Sequence, residues 1–483
     1  MNLWLSTFRN VTWLLFLAVA AGLFFPPGAA AENPPGGQNF KVYLPAVTKG
    51  GDATNPPPPV EVTKGGLFFK SNPKTNSASA AVDANGGMHF AFADFGPLNS
   101  HPQANYFYCA TGCDNPANWH GVLLGDYVDE VQLALTPAGQ PRLLITTSRV
   151  GESGSYGNSF HYAACNQNCT NPANWSMTLA AASAKTDTGI FDQPQHYFAL
   201  DALGRPRLVY NDEWPNDSGV YYAACDTACN TNPANWSKTK IGLEDQWSTS
   251  ETFEMPVLKF NSQNQPRLLA NITTLDNTSG LYYLECNANC ASLANWQRVR
   301  LLDRGNGPDV GWDMELDAAG RPRMIFYQGS LDGGGGNSLQ YAWCNGSCLT
   351  DSNWTLTHFG LPQGDGLYPD LALTGAGQPR IAYKLSGGAG LGYLWCNVNC
   401  HAGGGQWSAQ PVEASSVLDN DFPIPPPNFC TNAYWIGGYR PSLALDSQGN
   451  PRIGYDALHL FGGGTCATGS DFRAARYTFF PQP

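Results

Sequence analysis

The 483-residue sequence has few charged side chains, which make up 13% of it, and acidic residues outnumber basic ones. The formal net charge of −12 disfavours nucleic acid and anionic membranes as partners, because both repel an acidic protein. Apolar windows with helical spacing are absent beyond segment 1–25, which argues against a mainly helical fold. The chain instead contains 53 Gly, 36 Pro and 12% aromatic residues, a balance typical of short strands joined by tight turns.

The N-terminal segment has the organisation of an export signal. Arg9 precedes the apolar stretch 11–25, which is short for a membrane span, and small residues follow it. We predict a signal peptide over residues 1–31, with an uncleaved anchor as the alternative. Residues 32–64 are rich in Pro and Gly and predict an extended tether, and residues 65–483 are predicted to form one folded domain. The protein is therefore expected to be secreted or tethered at the cell surface, without a membrane span after cleavage.

One pattern recurs seven times: a hydrophobic strand, a turn and a second hydrophobic strand. The turn reads D-x-x-G-x-P-R in three copies, is looser in three others and is degenerate in the first. The copies are found at 83–89, Pro141-Arg142, Pro206-Arg207, Pro266-Arg267, Pro322-Arg323, Pro379-Arg380 and Pro451-Arg452. After each of the first six copies come an aromatic strand, C-x-x-x-C, a polar turn and a Trp. Each repeat thus contains four strands: A before the D-x-x-G turn, B after it, C ending at the first cysteine, and D starting at the Trp. We expect the repeated Arg to bond the neighbouring turn or the next blade, and the repeated Trp to pack between blades.

Seven four-stranded antiparallel units favour a radial arrangement around a channel. The last repeat stops after its strand C, and segment 60–69 precedes the first strand A without another role. We predict that this segment completes the last blade and closes the ring, which leaves no open sheet edge. The predicted fold is therefore an all-β, seven-bladed β-propeller, with a linear solenoid as the alternative.

The 14 cysteines of this exported chain are expected to form disulfides. A metal site needs about four ligands at one point, whereas each C-x-x-x-C pair stands alone in its repeat. The six predicted local disulfides are Cys109–Cys113, Cys165–Cys169, Cys225–Cys229, Cys286–Cys290, Cys344–Cys348 and Cys396–Cys400. Cys430 and Cys466 remain and are predicted to pair with each other, because both lie in connections on the same face. No metal site and no cofactor are predicted.

Because strands alternate in direction, the D–A and B–C connections share one face, here called the loop-rich face. Propeller ligands usually bind on this face, and its aromatic and acidic side chains suit a neutral sugar. The residues predicted to bind a ligand are Trp214, Trp312, Asp313, Tyr368, Asp370, Tyr434, Trp435, Tyr439 and Arg440. Other acidic, aromatic and histidine residues of the face are Asp126, Asp129, Glu130, Asp192, His196, Asp212, Glu213, Trp247, Glu251, Glu254, Asp309, Asp456 and His459.

The D-x-x-G-x-P-h-h-h-Y phrase, as in 201–210, resembles that of secreted bacterial propellers of the sialidase-like, BNR-repeat kind. The resemblance extends over about residues 66–480 and implies the same propeller fold. The R-I-P motif of sialidases is missing, and the first blade offers only Lys70 and Lys74 as basic residues at that place. Sialidase activity is therefore not implied.

No catalytic constellation is recognisable in the sequence, which predicts a monomeric, non-catalytic binding module for a glycan or a protein. The alternative is a carbohydrate-active enzyme, a glycoside hydrolase or a polysaccharide lyase, with its site on the loop-rich face. A hydrolase needs two carboxylates close together. Lyases of propeller fold use His, Tyr and Arg, for which His196, His459, Tyr439 and Arg440 are the candidates.

Overall fold

The computed structural model describes residues 66–69, 74–95, 103–125, 127–150, 156–183, 196–212, 219–242, 252–274, 279–303, 308–328, 338–362, 364–401, 405–422, 430–463 and 466–482. The predicted signal peptide and tether lie outside these residues. The described part forms seven four-stranded antiparallel sheets, which confirms the predicted β-propeller. Among the same residues, no helix is both long and apolar enough to cross a membrane.

The strands fall into four sets according to their place in a blade. Strands A are β2 (Lys74–Val82), β6 (Val128–Leu135), β10 (Phe198–Leu200), β14 (Thr252–Phe260), β18 (Pro308–Leu316), β22 (Leu367–Leu373) and β26 (Asn432–Leu445). Strands B are β3 (Met88–Phe95), β7 (Pro141–Val150), β11 (Pro206–Asp212), β15 (Pro266–Thr273), β19 (Pro322–Gln328), β23 (Pro379–Lys384) and β27 (Pro451–Gly463). Strands C are β4 (Gln103–Cys109), β8 (Tyr156–Cys165), β12 (Gly219–Cys225), β16 (Gly280–Cys286), β20 (Ser338–Cys344), β24 (Gly390–Val398) and β28 (Cys466–Phe479). Strands D are β5 (His120–Leu124), β9 (Trp175–Ser183), β13 (Trp236–Lys240), β17 (Trp296–Asp303), β21 (Trp354–His358) and β25 (Gln406–Ala414), with the helix α1 (Ser415–Asp421) after β25.

The seventh blade contains strands from both ends of the folded region. Strand β1 (Gly66–Phe69) pairs antiparallel with β28, and the sheet order is β1-β28-β27-β26. We number the blades 1 to 7 from β2–β5 to β26–β28. Each strand A contacts the strands A of both neighbouring blades, β26 and β2 included. The seven strands A therefore surround a central channel.

The A–B turn owes its shape to the D-x-x-G phrase. In blade 3 the Asp201 carboxylate accepts hydrogen bonds from the N–H groups of Leu203 and Arg205, both at 3.0 Å. Gly204 has a φ of 74°, a left-handed conformation that glycine adopts without steric cost. The following proline begins strand B, where no ladder donor is needed. The repeated phrase thus encodes the turn that separates strands A and B.

The repeated Arg ties the A–B turn to the end of strand C, as predicted. Arg323 is fully buried, and it donates to the Cys344 carbonyl at 2.8 Å and to Asp317 at 2.7 Å. The equivalent bonds to a cysteine carbonyl come from Arg142, Arg207, Arg267 and Arg380. These guanidinium groups are therefore structural and are not available to a ligand.

The six C-x-x-x-C pairs are disulfide-bonded, each with Cα atoms 5.7 Å apart, which confirms those pairings. Cys430 is also disulfide-bonded. The side chain of Cys466 lies outside the described part of the chain, so the Cys430–Cys466 pairing stays a prediction.

Aromatic pairs connect every blade to the next. The Trp at or next to the start of each strand D packs edge-on against a Tyr in strand C of the preceding blade, with ring centroids 5.0–5.7 Å apart. The pairs are Trp119–Tyr477, Trp175–Tyr106, Trp236–Tyr162, Trp296–Tyr222, Trp354–Tyr283 and Trp407–Tyr341. Between blades 6 and 7 the same contact joins Phe480 and Tyr393 at 5.1 Å. The predicted packing role of the repeated Trp is confirmed, and the contacts run through all seven junctions.

Candidate functional site

The strands A bend near their loop-rich ends. Each of them except the short β10 contains a β-bulge, which re-aims the side chains next to it. At or next to four of these bulges the residue has a left-handed backbone: Tyr127, Met255, Tyr368 and Arg440, with φ between 44° and 58°. This conformation costs roughly 1–3 kcal/mol for a residue with a side chain, and such strain is concentrated at functional sites. The strained residues therefore indicate a functional site at the loop-rich end of the channel.

Deeper in the channel, side chains of one strand A bond the backbone of the next strand A. Ser79, Gln132, Asp313, Asp370 and Ser442 are equivalent positions of the repeat, and each accepts a hydrogen bond from an N–H of the following blade. Those N–H groups belong to Leu133, Phe198, Leu371, Leu443 and Ala80. At the junction of blades 3 and 4 the acceptor is the His196 carbonyl, which receives a hydrogen bond from the Leu258 N–H at 2.8 Å. The channel wall is thus held together by polar groups of the strands A.

Three of these residues, His196, Asp313 and Asp370, have side-chain atoms close to one another, and we call them the channel triad. The Nε2 atom of His196 lies 2.9 Å from Asp370 Oδ1 and 3.9 Å from Asp313 Oδ1. The three donor atoms all lie within 4.8 Å of one another. Burial raises the pKa of Asp313 to about 6, against the opposing charges of His196 and Lys259. Burial disfavours a charged His196, but Asp313 and Asp370 outweigh this effect and raise its pKa.

An ion pair lies beside the triad, closer to the A–B turns. Lys259 is paired with Glu315, whose strand β18 also carries Asp313. Both side chains keep some solvent contact inside the channel, at 21% and 30% exposure. Burial opposes the charged ammonium, yet the carboxylates of Glu315 and Asp313 raise the pKa of Lys259 above its usual range. Lys259 therefore stays positive, and its charge is balanced by Glu315.

Glu130 lies on the loop-rich side of the triad and is fully buried. Its two oxygens accept hydrogen bonds from Tyr197 Oη at 2.8 Å and from Gln132 Nε2 at 3.1 Å. Burial raises the pKa of Glu130 to about 7, although these two bonds and the charge of Arg440 oppose the shift, and Asp129 adds to it. The carboxyl group is thus neutral below neutral pH in the folded protein.

This pKa predicts a pH-dependent loss of stability. An unfolded Glu ionises near its usual pKa, whereas folded Glu130 keeps its proton up to about pH 7. The stabilisation from the bound proton is complete at acid pH. It disappears as the pH rises from the usual pKa of Glu to about 7, the pKa of folded Glu130. The wild type should therefore lose about 3 kcal/mol relative to the variant Glu130→Gln between about pH 4 and about pH 8. Chemical denaturation across this range measures the difference, and parallel stability profiles for the two proteins would contradict the prediction.

A second group, which we call the blade 6–7 cluster, comprises Tyr368, Lys384, Tyr439, Arg440 and Asp456. The rings of Tyr368 and Tyr439 lie 5.7 Å apart, and Lys384 Nζ lies 4.7 Å from the Tyr439 ring centroid. Arg440 is ion-paired with Asp456, and Lys384 is the last residue of β23, at the loop-rich end of that strand. Burial lowers the pKa of Lys384, although Asp365 opposes the shift. The cluster thus brings a phenol and two cationic groups together at the loop-rich end of the channel.

The structure separates the residues predicted to bind a ligand. Asp313 and Asp370 belong to the channel triad, and Tyr368, Tyr439 and Arg440 to the blade 6–7 cluster. Tyr434 is exposed on β26, and Trp214 lies outside the described residues. The remaining two, Trp312 and Trp435, are buried with only 2% and 1% exposure, and they donate to the carbonyls of Met255 and Phe422. Their enclosed rings do not offer a face to a sugar, so we leave them out of the proposed site.

The residues considered for a lyase are also divided. His196 is in the triad, whereas His459 is buried and packs edge-on against Trp435 at 5.2 Å. Sequence reasoning missed Lys384, which ends a strand B of ordinary appearance. The only sign of it in the sequence is the residue type at this position of strand B. Blade 6 has Lys384 there, whereas the equivalent residues are Tyr327 in β19 and Asp456 in β27. That signal is weak without the fold.

No protein-family model matches the chain, and no curated protein matches it. Among solved structures, an ulvan lyase of a new polysaccharide lyase family, bound to -[GlcA(1-4)Rha3S]-, has a TM-score of 0.51 and 10% identity, over 86% of this chain and 96% of that one. An α-L-arabinanase of Penicillium chrysogenum has a TM-score of 0.44 and 14% identity, over 71% and 95%. An α-L-arabinofuranosidase of Fusarium graminearum has a TM-score of 0.45 and 11% identity, over 72% and 97%. At these identities the likeness shows the fold.

These similarities correct the function predicted from the sequence. The main prediction, a non-catalytic binding module, is wrong, because the similar ulvan lyase propeller, at a TM-score of 0.51, is a carbohydrate-active enzyme. That prediction rested on the absence of a local catalytic motif. A missing motif is weak evidence against an enzyme when the residues of a site come from several blades. The alternative prediction, a carbohydrate-active enzyme, is the better supported of the two. The comparisons support a propeller similar to hydrolases and lyases, but not the narrower sialidase-like assignment.

Proposed function

We propose that the protein is an exported polysaccharide lyase that cleaves a uronate-containing chain at the blade 6–7 cluster. The observation that carries the proposal is Tyr439, a phenol with the Lys384 ammonium 4.7 Å from its ring centroid and with Arg440 as its chain neighbour. The disulfides support export, because such bonds persist in oxidising compartments.

The proposed reaction is a β-elimination, and the cluster contains the groups that it needs. Tyr439, as the phenolate, removes the proton from C5 of the uronate, next to its carboxylate. The electron pair of that C–H bond forms the C4=C5 double bond, and the bond between C4 and the bridging oxygen breaks. The leaving oxygen takes up a proton, for which the newly formed Tyr439 phenol is the nearest donor. Lys384 and Arg440 stabilise the negative charge that develops on the carboxylate.

The channel triad is a poor alternative as the catalytic pair of a glycoside hydrolase. The carboxylate oxygens of Asp313 and Asp370 that face His196 lie within 4.8 Å of each other. Retaining hydrolases separate such groups by about 5–5.5 Å. Both residues are almost fully buried, however, and each uses its other oxygen to bond the next blade. A sugar ring between them would have to break the channel wall.

The proposed substrate class follows from the cluster and from the ulvan lyase, whose ligand contains GlcA. A net charge of −12 repels an acidic polysaccharide at long range. At the site itself, Lys384 and Arg440 provide two positive charges, of which Arg440 is partly neutralised by Asp456. Lys384 and Arg440 are only 6% and 5% exposed, so salt screens them less than surface charges, and we expect binding to weaken only modestly with salt.

The test is the product formed from a panel of polysaccharides by the exported protein. Uronate-containing chains should yield fragments with unsaturated ends, which absorb in the ultraviolet, whereas neutral arabinan should not be cleaved. New reducing ends from any member of the panel without matching unsaturated ends would overturn the lyase in favour of a hydrolase. A panel left intact, with the protein shown to be folded by circular dichroism, would overturn the proposed activity altogether.

A further inference from the structure

We propose that the channel triad binds one divalent cation, Zn²⁺ or Mn²⁺, through His196 Nε2, Asp313 Oδ1 and Asp370 Oδ1. Two ligands of one ion at about 2.1 Å are separated by roughly 3 Å at right angles and by about 4 Å when nearly opposite. The separations of 2.9 Å and 3.9 Å from His196 Nε2 to the two carboxylate oxygens fall within that interval. All three atoms lie within 4.8 Å of one another, which is close to the spacing that ligands of one ion require.

The same three atoms have no hydrogen-bond partner. His196 Nε2, Asp313 Oδ1 and Asp370 Oδ1 are buried, and none of them forms a hydrogen bond within the described residues. Asp313 is fully buried and Asp370 is 3% exposed. Buried polar atoms are almost always satisfied, and a group left without a partner calls for a water or an ion. Here three such atoms face one another.

The ligands are held in place by their other atoms. Asp313 Oδ2 accepts from the Leu371 N–H at 2.8 Å, and Asp370 Oδ2 accepts from the Leu443 N–H. The His196 backbone is fixed by its carbonyl, which accepts from Leu258, and by a bridge to Val257. Metal-binding carboxylates are typically hydrogen-bonded in this way, because the outer bonds orient the free oxygen.

The donor set and the local charge select the kind of ion. An imidazole nitrogen with two carboxylate oxygens suits Zn²⁺ or Mn²⁺, whereas Ca²⁺ and Mg²⁺ prefer sets made of oxygens alone. Two carboxylates against a neutral imidazole leave two negative charges for the ion to neutralise. Lys259 adds a positive charge nearby, but Glu315 balances it.

The alternative occupant of the position is a proton on His196. An imidazolium would also neutralise the two carboxylates without any ion. It would donate from Nε2 to Asp370, but that approach is not aligned as a hydrogen bond despite the 2.9 Å distance. The geometry therefore favours an ion shared by the three residues. Titration of the chelator-treated protein with divalent cations distinguishes this ion from a proton on His196.

A cation at this position would join blades 3, 5 and 6 across the channel. Through the bonds of its ligands to Leu258 and Leu443 it would also connect blades 4 and 7. The ion should therefore stabilise the ring, and this role is independent of the proposed lyase reaction. Its failure in the test would leave the lyase proposal standing, because the readouts are binding and melting temperature.

The experiment uses the full exported chain, stripped with a chelator and then titrated with Zn²⁺, Mn²⁺ or Ca²⁺. Native mass spectrometry and calorimetry should find one equivalent of Zn²⁺ or Mn²⁺ and weaker binding of Ca²⁺. A hundredfold excess over Kd should raise Tm by about 3 °C. No binding of any of the three ions, or tightest binding of Ca²⁺, would overturn the proposal, and the unsatisfied atoms would then be explained by an imidazolium.

Variants locate the site. Asp313→Asn and Asp370→Asn keep an oxygen for the next blade but weaken the ligand, and each should raise Kd by about tenfold to hundredfold. Glu315→Gln is the comparison variant on the same strand as Asp313: it removes no ligand but leaves Lys259 unbalanced, so it should raise Kd by less than either triad variant. His196→Gln provides a further variant if one of the others does not fold, because its carbonyl still bonds Leu258. Equal affinity in the wild type and in all folded triad variants would place the ion elsewhere and overturn the assignment.

Discussion

Replacing Arg476 by Met should lower the free energy of unfolding by about 3–5 kcal/mol, because it leaves the Glu413 carboxylate buried without its cation. Arg476 is 1% exposed on β28 and forms an ion pair with Glu413 of β25 and another, at 2.7 Å, with Asp421 of α1. Tyr455 also donates to Glu413, at 2.7 Å. This network joins blades 6 and 7, so the loss should appear in chemical denaturation of the whole domain.

Arg321→Met is the matched control for this change. Arg321 is 43% exposed and pairs with Asp317 at 2.7 Å, so the same substitution removes an ion pair of similar length at the surface. Its expected cost is about 0–1 kcal/mol, because Arg321 is exposed and Asp317 keeps its ion pair with Arg323. The double variant Arg476→Met/Glu413→Gln should recover part of the lost stability. Similar costs for Arg476→Met and Arg321→Met would contradict the assignment of a buried network.

Removing the Tyr439 hydroxyl, in the variant Tyr439→Phe, should lower kcat/KM for the uronate polysaccharide by about 100-fold or more. The phenol is the proposed base, and Phe keeps the ring that packs against Tyr368 and lies beneath Lys384. The fold should therefore be unchanged while proton removal from C5 is lost. The measurement is the initial rate of formation of unsaturated ends, with Tm as the check on folding.

Tyr282→Phe is the control for the loss of activity. Tyr282 also has a cation over its ring, Arg298 at 5.3 Å, but it lies on β16 of blade 4, in the core between blades 3 and 4. The same chemical change there should leave kcat/KM within experimental error of the wild type. If Tyr439→Phe retains full activity, Tyr439 is not the base.

The fold was readable from the sequence because its determinants are local and repeated. Asp201 and Gly204 define a turn within four residues, and each Trp follows its cysteine pair at nearly constant spacing. The partner of each Trp could not be read in the same way, since Tyr477 and Trp119 are 358 positions apart and meet only in a ring.

The candidate site was harder to predict because its residues come from different blades. Asp313, Asp370 and His196 all lay among the residues expected near the loop-rich face, but nothing in the sequence states that they converge. A clue does exist: Asp313, Asp370 and Ser442 are polar at the position three residues before the Leu that ends their strand A. Aligning the repeats to one another shows the polar position, but only the ring geometry shows which of its members meet.

The place where the chain enters the last blade decides how the protein would face its substrate if it is tethered. Gly66 pairs with Thr478, at the end of β28 that leads away from the loop-rich face. The predicted tether would therefore join the domain on the side of the disulfide-bonded turns. An anchored molecule would then present its loop-rich face away from the cell surface. A large polymer could reach the channel from that side without passing between the protein and the cell surface.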